Sequence, residues 1–163
     1  EIVVMNNAVI EQAGPAREVF NAPRTAFVAR FIGANTLISG KVRSVDNGAI
    51  SVDTPFGALV AETPAAPVAA GASASIVLPA EAMNVLPGTM AEAEVRAKHG
   101  SNVVSCQIDR LQLVGHILQI GMTLPGGEAV SLEGHADKYR GSLVAGTSGY
   151  VAWNPSDATL IVQ

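Results

Sequence analysis

The side chains that could carry chemistry are few and far apart. A phosphate-binding loop of the form G-x-x-x-x-G-K-[ST] needs glycines that let backbone N–H groups approach the phosphates, a lysine to reach them and a hydroxyl for magnesium. The lysines are Lys41, Lys98 and Lys138; Gly40-Lys41 comes nearest to the pattern, and Val42 stands where the hydroxyl is required. His99, His116 and His135 lack the short spacings of metal ligands, so no metal site is expected. Cys106 lies in an apolar run and reads as a buried, inert thiol. No Ser-His-Asp, Cys-His or paired-carboxylate arrangement stands out, and no catalytic residue is assigned. The one cationic cluster is Lys138-Tyr139-Arg140 in a Gly-rich stretch, a possible contact for an anion or a partner's carboxylate, or a solvated loop.

The elements that must position these groups change character along the chain. Ile2 to Met5 form an apolar strand, Asn6 and Asn7 a turn, and Val9 and Ile10 a second strand; Gly14 and Pro15 then open a helix that Pro23 stops. Phe27, Val28, Phe31 and Ile32 share a helical face before Gly33. Beyond it, short strands are expected at Gly40 to Val45, Ala49 to Thr54, Ala58 to Glu62, Ala74 to Leu78, Asn102 to Leu113, His116 to Met122, Ala129 to Glu133, Gly149 to Asn154 and Thr159 to Val162. Asp46-Asn47-Gly48, Pro55-Phe56-Gly57 and Pro125-Gly126-Gly127 supply hairpin turns. Residues 65–75 read as a Pro/Ala/Gly linker, and 90–100 as a short helix or a connection. Trp153 alternates with Val151 and is expected in the core, where its indole N–H needs a partner. Asp109 and Arg110 interrupt an apolar strand and read as a turn or a cross-strand pair. Many short strands with such turns indicate a barrel or sandwich.

Composition narrows the function classes. At 163 residues the chain can bury one core with a small appendage. A net charge of -4 and 4% aromatic residues argue against a nucleic-acid groove. Pro64, Pro67, Pro79, Glu62 and Glu81 break the longest mild apolar stretch, so no bilayer-spanning helix is expected. Glu1 and the short apolar run after it do not make a signal peptide.

Two sets of residues carry a family resemblance. Ile2, Val3, Val4, Met5, Asn6, Ile10, Gln12, Gly14, Glu18, Pro23, Phe27, Val28, Ala29, Phe31, Ile32 and Gly33 resemble the closing segment of the ATPase subunit of ATP-binding cassette (ABC) importers. Ala8 stands where that family prefers glycine, and Pro15 sits one position early. The rest is similar to the transport-associated OB (TOBE) domain that follows it. The matching positions include Gly40, Val42, Gly48, Ile50, Thr54, Pro55 and Gly57, then Gly115, Gly126 and Gly127, then Val151, Trp153, Pro155, Asp157 and Leu160. Leu78-Pro79-Ala80-Glu81 lacks the arginine usual in the family's equivalent segment.

The resemblance implies a mainly β, OB-like (TOBE/molybdate-binding-like) barrel at residues 37–163, preceded by a strand-helix-helix remnant of the ATPase domain at 1–36. It implies a regulatory and dimerisation domain with no ATPase activity of its own, because the phosphate-binding loop, signature motif and metal-binding aspartate are absent. ATP and Mg would then belong to a missing nucleotide-binding domain. The implied partners are a second copy of the chain and transmembrane permease subunits, with no nucleic acid, at the cytoplasmic face of a bacterial membrane. The alternative is a sensing module for an oxyanion or the transported solute. Among solutes, the first segment is most similar to the polyamine, ferric-iron and phosphonate branch.

Overall fold

The computed structural model describes residues 1–33, 35–46, 48–62 and 67–162. Strands β1 (Ile2–Asn6) and β2 (Val9–Gly14) form an antiparallel hairpin. Its two-residue turn holds Asn7 at φ 48° and Ala8 at φ 63°, the left-handed conformation that matches strand twist in tight hairpins. Helix α1 (Ala16–Asn21) opens after Pro15, whose fixed φ suits a helix start, and Pro23 follows its end. Helix α2 (Ala26–Ile32) is capped by Thr25, whose hydroxyl accepts from the Val28 N–H at 3.2 Å. Val4, Val19 and Val28 form a small core under this segment.

The remaining strands make two antiparallel sheets. The first holds β3 (Asn35–Asp46), β4 (Ala49–Thr54), β5 (Gly57–Glu62) and β6 (Ser73–Pro79); the second holds β8 (Val103–Val114), β9 (Ile117–Thr123), β10 (Ala129–His135) and β11 (Thr147–Ala152). Two short strands, β7 (Asn84–Pro87) and β12 (Thr159–Val162), complete them, and a helix, α3 (Glu92–His99), precedes β8. The sheet orders are β12-β6-β3-β4-β5 and β7-β11-β8-β9-β10.

These orders are the same order twice. Each sheet is a three-strand meander whose first strand also pairs with the fourth, and in each the first strand carries a bulge, between Val42 and Ser44 or between Ile108 and Arg110. Gly71, at φ 84°, donates to the Val42 carbonyl at 2.8 Å, and Gly146, at φ 81°, donates to the Ile108 carbonyl at 2.7 Å. Each fourth strand leads into a 3₁₀ turn, Ala80–Ala82 or Pro155–Asp157, that lies against the other sheet's third meander strand. The fifth strand is exchanged: β7 leaves the first sheet to pair with β11, and β12 leaves the second to pair with β6.

A single core runs between the two sheets and includes Val85 of β7 and Leu160 of β12, so each exchanged strand is anchored in it. Contact between β5 and β12 curls the first sheet toward closure, giving the open half-barrel expected of an OB-like domain. Asn102 sits at the entrance to β8 with its side chain fully buried. Its carboxamide donates to the Val60 carbonyl and accepts from the Val60 N–H, both at 2.8 Å, tying the second repeat to the edge strand of the first.

Several expectations shift by a few residues. β3 starts at Asn35 rather than Gly40, because its early residues pair with the far end of β6. Residues 90–100 contain the helix α3. Of the linker expected at 65–75, residues 65 and 66 lie outside the described residues, and residues 73–75 belong to β6, paired with β3. Asn47 of the first hairpin turn also lies outside the described residues. The strand β7 was not expected at all.

Candidate ligand and partner surfaces

The candidate cluster resolves into three different environments. Lys138, Tyr139 and Arg140 follow β10 on a 3₁₀ turn, Ala136–Tyr139. Tyr139 is a core residue whose ring lies over Gly134, so close that a Cβ there would meet Tyr139 Cε2 at 2.8 Å. Arg140 is exposed and engaged by Asp137, with Nη2–Oδ1 at 2.7 Å. Lys138 is exposed, its Nζ 5.4 Å from the centroid of the Tyr139 ring.

Gly40 and Lys41 lie inside β3. A Cβ on Gly40 would fall 2.3 Å from the Asp53 carbonyl oxygen, so the glycine serves strand-to-strand packing and not a phosphate cradle. Asp109 and Arg110 occupy the β8 bulge. The Asp109 carboxylate accepts from the Thr123 hydroxyl at 2.7 Å, and Arg110 lies along Gly121.

Cys106 is buried in the main core. Burial first, and the nearby Asp109 charge second, push its thiol up to about 11, so it stays protonated and unreactive at neutral pH. Trp153 is 2% exposed, and its Nε1 has no hydrogen-bond partner among the described residues, although the sequence led us to expect one. The fold stacks His116 on His135, ring centroids 5.2 Å apart, and leaves His99 at the end of α3. Among the described residues, no group of three or more His, Cys, Asp or Glu is placed to hold a metal ion. No helix among them is long and apolar enough to cross a membrane.

Two clefts went unrecognised in the sequence, because each is assembled from distant segments. The larger, about 750 Å³, opens where α1, the start of β3, both 3₁₀ crossings and β12 meet. Its wall includes Phe20, Asn35, Glu81, Asn84, Asp157 and Thr159 and, among the described residues, contains no Lys, Arg or His. The smaller, about 260 Å³, lies between the start of β3 and the start of β10, with Arg30, Thr36, Glu128 and Ser131 in its wall.

Over 42 residues the chain is 48% identical to the spermidine/putrescine import ATP-binding protein PotA of Acetivibrio thermocellus, a match covering 26% of this chain and 12% of that protein. The PotA proteins of Trichormus variabilis and Bacillus thuringiensis match at 41% over 56 residues and 44% over 57, covering 34% and 28% of this chain. In these stretches the chain is homologous to the ATP-binding subunits of ABC importers. It spans only 12 to 17% of the length of those relatives. No family model matches. The fold resembles that of the cytoplasmic molybdate-binding protein ModG with molybdate bound, with a TM-score of 0.63 at 17% identity over 78% of this chain and 96% of that one. The chain is thus similar over part of its length to the ATP-binding subunits of ABC importers, and its fold is TOBE/OB-like.

Proposed function

We propose that this chain is the regulatory and dimerisation part of the ATP-binding subunit of an importer of small solutes, and that it does not itself hydrolyse ATP. The observation that carries the reading is the pairing of importer-subunit homology with a ModG-like fold. In the longer protein, ATP and magnesium bind outside this chain, and transmembrane permease subunits receive the work at the cytoplasmic face of the membrane. The relatives' names make a polyamine the favoured solute. Val3, Met5, Val9, Ile10 and Phe31 are exposed on the N-terminal segment and supply the apolar face on which the rest of the nucleotide-binding domain packs.

Dimerisation has a physical basis in β10, a sheet edge whose outward backbone groups favour another strand. Sedimentation equilibrium across a wide concentration range tests it. A reversible homodimer is expected, and a monomer at every concentration contradicts it.

A second reading, sensing of a small ligand, draws on the two clefts. The larger, with carboxylates and no cationic side chain among the described residues, suits a cationic solute, whereas the smaller sets Arg30 against Glu128 and suits a ligand with both an anionic and a donor group. Lys138 is the further cation that an anion or a permease carboxylate would meet. Thermal melts with spermidine, putrescine, molybdate, sulfate and phosphate separate these cases, because a native-state ligand raises the melting temperature saturably. No shift with any of them leaves dimerisation as the chain's role.

A further inference from the structure

The two repeats extend one element further than the sheets. Thr25 precedes α2 and Ala91 precedes α3, a separation of 66 residues, the same as that between the bulge positions Val42 and Ile108. The helices bury equivalent residues against equivalent strands. Ala29 of α2, fully buried, packs with Leu37, Val77 and Ile161 of β3, β6 and β12. Val95 of α3, fully buried, packs with Val103, Ala152 and Leu86 of β8, β11 and β7. Arg30 and Arg96 keep the same type at the next position. Arg96 donates to the Ser101 and Val103 carbonyls at the start of β8, and Arg30 shares a cleft with Asn35, Thr36 and Leu37 at the start of β3. Thus α2 is the first element of the first repeat, although it lies within the segment expected to be an ATPase remnant.

The helices differ on their opposite faces. In α3 the counterparts of Val28 and Ile32 are Glu94 and Lys98, both exposed, and Val95 is the helix's one buried residue. In α2 Val28 is fully buried with Val4 and Val19, flanked by Phe27 and Ile32. Adjacent residues of a single helix therefore enter two cores, Val28 that of the N-terminal hairpin and Ala29 that of the barrel. The short capped helix has no loop between these contacts that could absorb a displacement.

We propose that α2 is a shared coupling helix, through which the nucleotide-binding end of the chain and the barrel, including the exchanged strand β12, open and shift together. This deepens the regulatory reading, but the test uses only the chain described here and is independent of dimerisation. Amide hydrogen exchange is compared for the native chain, Val28→Ala and Glu94→Ala. Val28→Ala should speed exchange about tenfold in β1, β2 and α1 and by a similar factor in β3 and β6, as for one cooperative unit. Glu94→Ala, the exposed counterpart on α3, should leave exchange unchanged. Acceleration confined to residues 2–21 overturns the proposal. If Val28→Ala does not fold, Val28→Thr, which keeps the side-chain shape, gives the same readout. Ile161→Val supplies the reciprocal test: faster exchange in α1 and the β1-β2 hairpin supports coupling, and none there overturns it.

Discussion

The first and second repeats are built to one plan and differ where one of them meets the rest of the protein. Both have a helix, a bulged first strand, a meander, a glycine donating to the bulge and a 3₁₀ crossing into an exchanged strand. In the first, the helix carries an apolar outer face under the N-terminal hairpin; in the second, that face is charged and bare. Equivalent positions have also diverged. Gly40 stands where the second repeat has Cys106, Thr36 where it has Asn102, and Leu78 where it has Trp153. Topology fixes the backbone path, while side-chain choice decides which repeat joins the N-terminal hairpin and which one clamps its neighbour.

Removing β12 should break the comparison most severely. A chain ending at Ala158 loses Leu160 from the main core, Ile161 from under α2 and the strand partner of β6. Leu160 alone is a 2 to 5 kcal/mol site by the usual range for large-to-small core changes, about the whole margin of a small domain. The truncated chain is expected to lose cooperative unfolding in both sheets, read by circular dichroism in urea. Survival of a cooperative transition would mean that the exchange is not needed.

Asn102→Ala should cost about 2 to 3 kcal/mol, because it removes a fully buried side chain that satisfies both the part-buried N–H and the carbonyl of Val60. Thr36→Ala, at the equivalent place in the first repeat, should cost less than about 1 kcal/mol, since Thr36 is only part-buried. Equal costs in urea melts would show that the two entrances are not specialised.

Alkali should single out the second repeat. The Cys106 pKa is raised from 9.0 to about 11 in the folded chain, so the native state holds its proton more tightly than the unfolded state. The associated stability is complete below pH 9 and is lost as pH rises from 9 to about 11. At 1.36 kcal/mol per pKa unit, its upper bound is about 3 kcal/mol. Cys106→Ala should lower stability at neutral pH and flatten this alkaline decline; an unchanged slope would contradict the assignment.

The smallest effect belongs to the N-terminal hairpin. Ala8 occupies a left-handed conformation at φ 63°, which costs a residue with a Cβ about 1 kcal/mol. Ala8→Gly should raise stability by about that amount if α2 joins the hairpin to the barrel, and should leave the barrel's melting unchanged if it does not.

Legibility in the sequence followed the range of the interactions. The hairpin, the two N-terminal helices and most strands announce themselves through local turn chemistry and alternation, and Trp153 was readable as core from its spacing to Val151. β7 was not, because its four residues follow closely on a 3₁₀ turn and end at Pro87, and pairing with β11 alone makes them a strand. The repeat was hidden because the equivalent positions share little beyond pairs such as Arg30 with Arg96 and Ser39 with Ser105. Lys138, Tyr139 and Arg140 are adjacent in sequence, but the tight packing of Tyr139 over Gly134 turns the tyrosine inward. The larger cleft draws on four separate stretches of chain and the smaller on three, and no local pattern encodes them.

The most direct test of the account is native-state hydrogen exchange of the central strands β6 and β11 across low urea concentrations. Strands completed by each other's repeats should open together, with the slowest amides of both converging on one free energy and one urea dependence. If β11 opens with a distinctly lower free energy while β6 stays protected, the repeats are independent units, and the exchanged strands do not bind them into one fold.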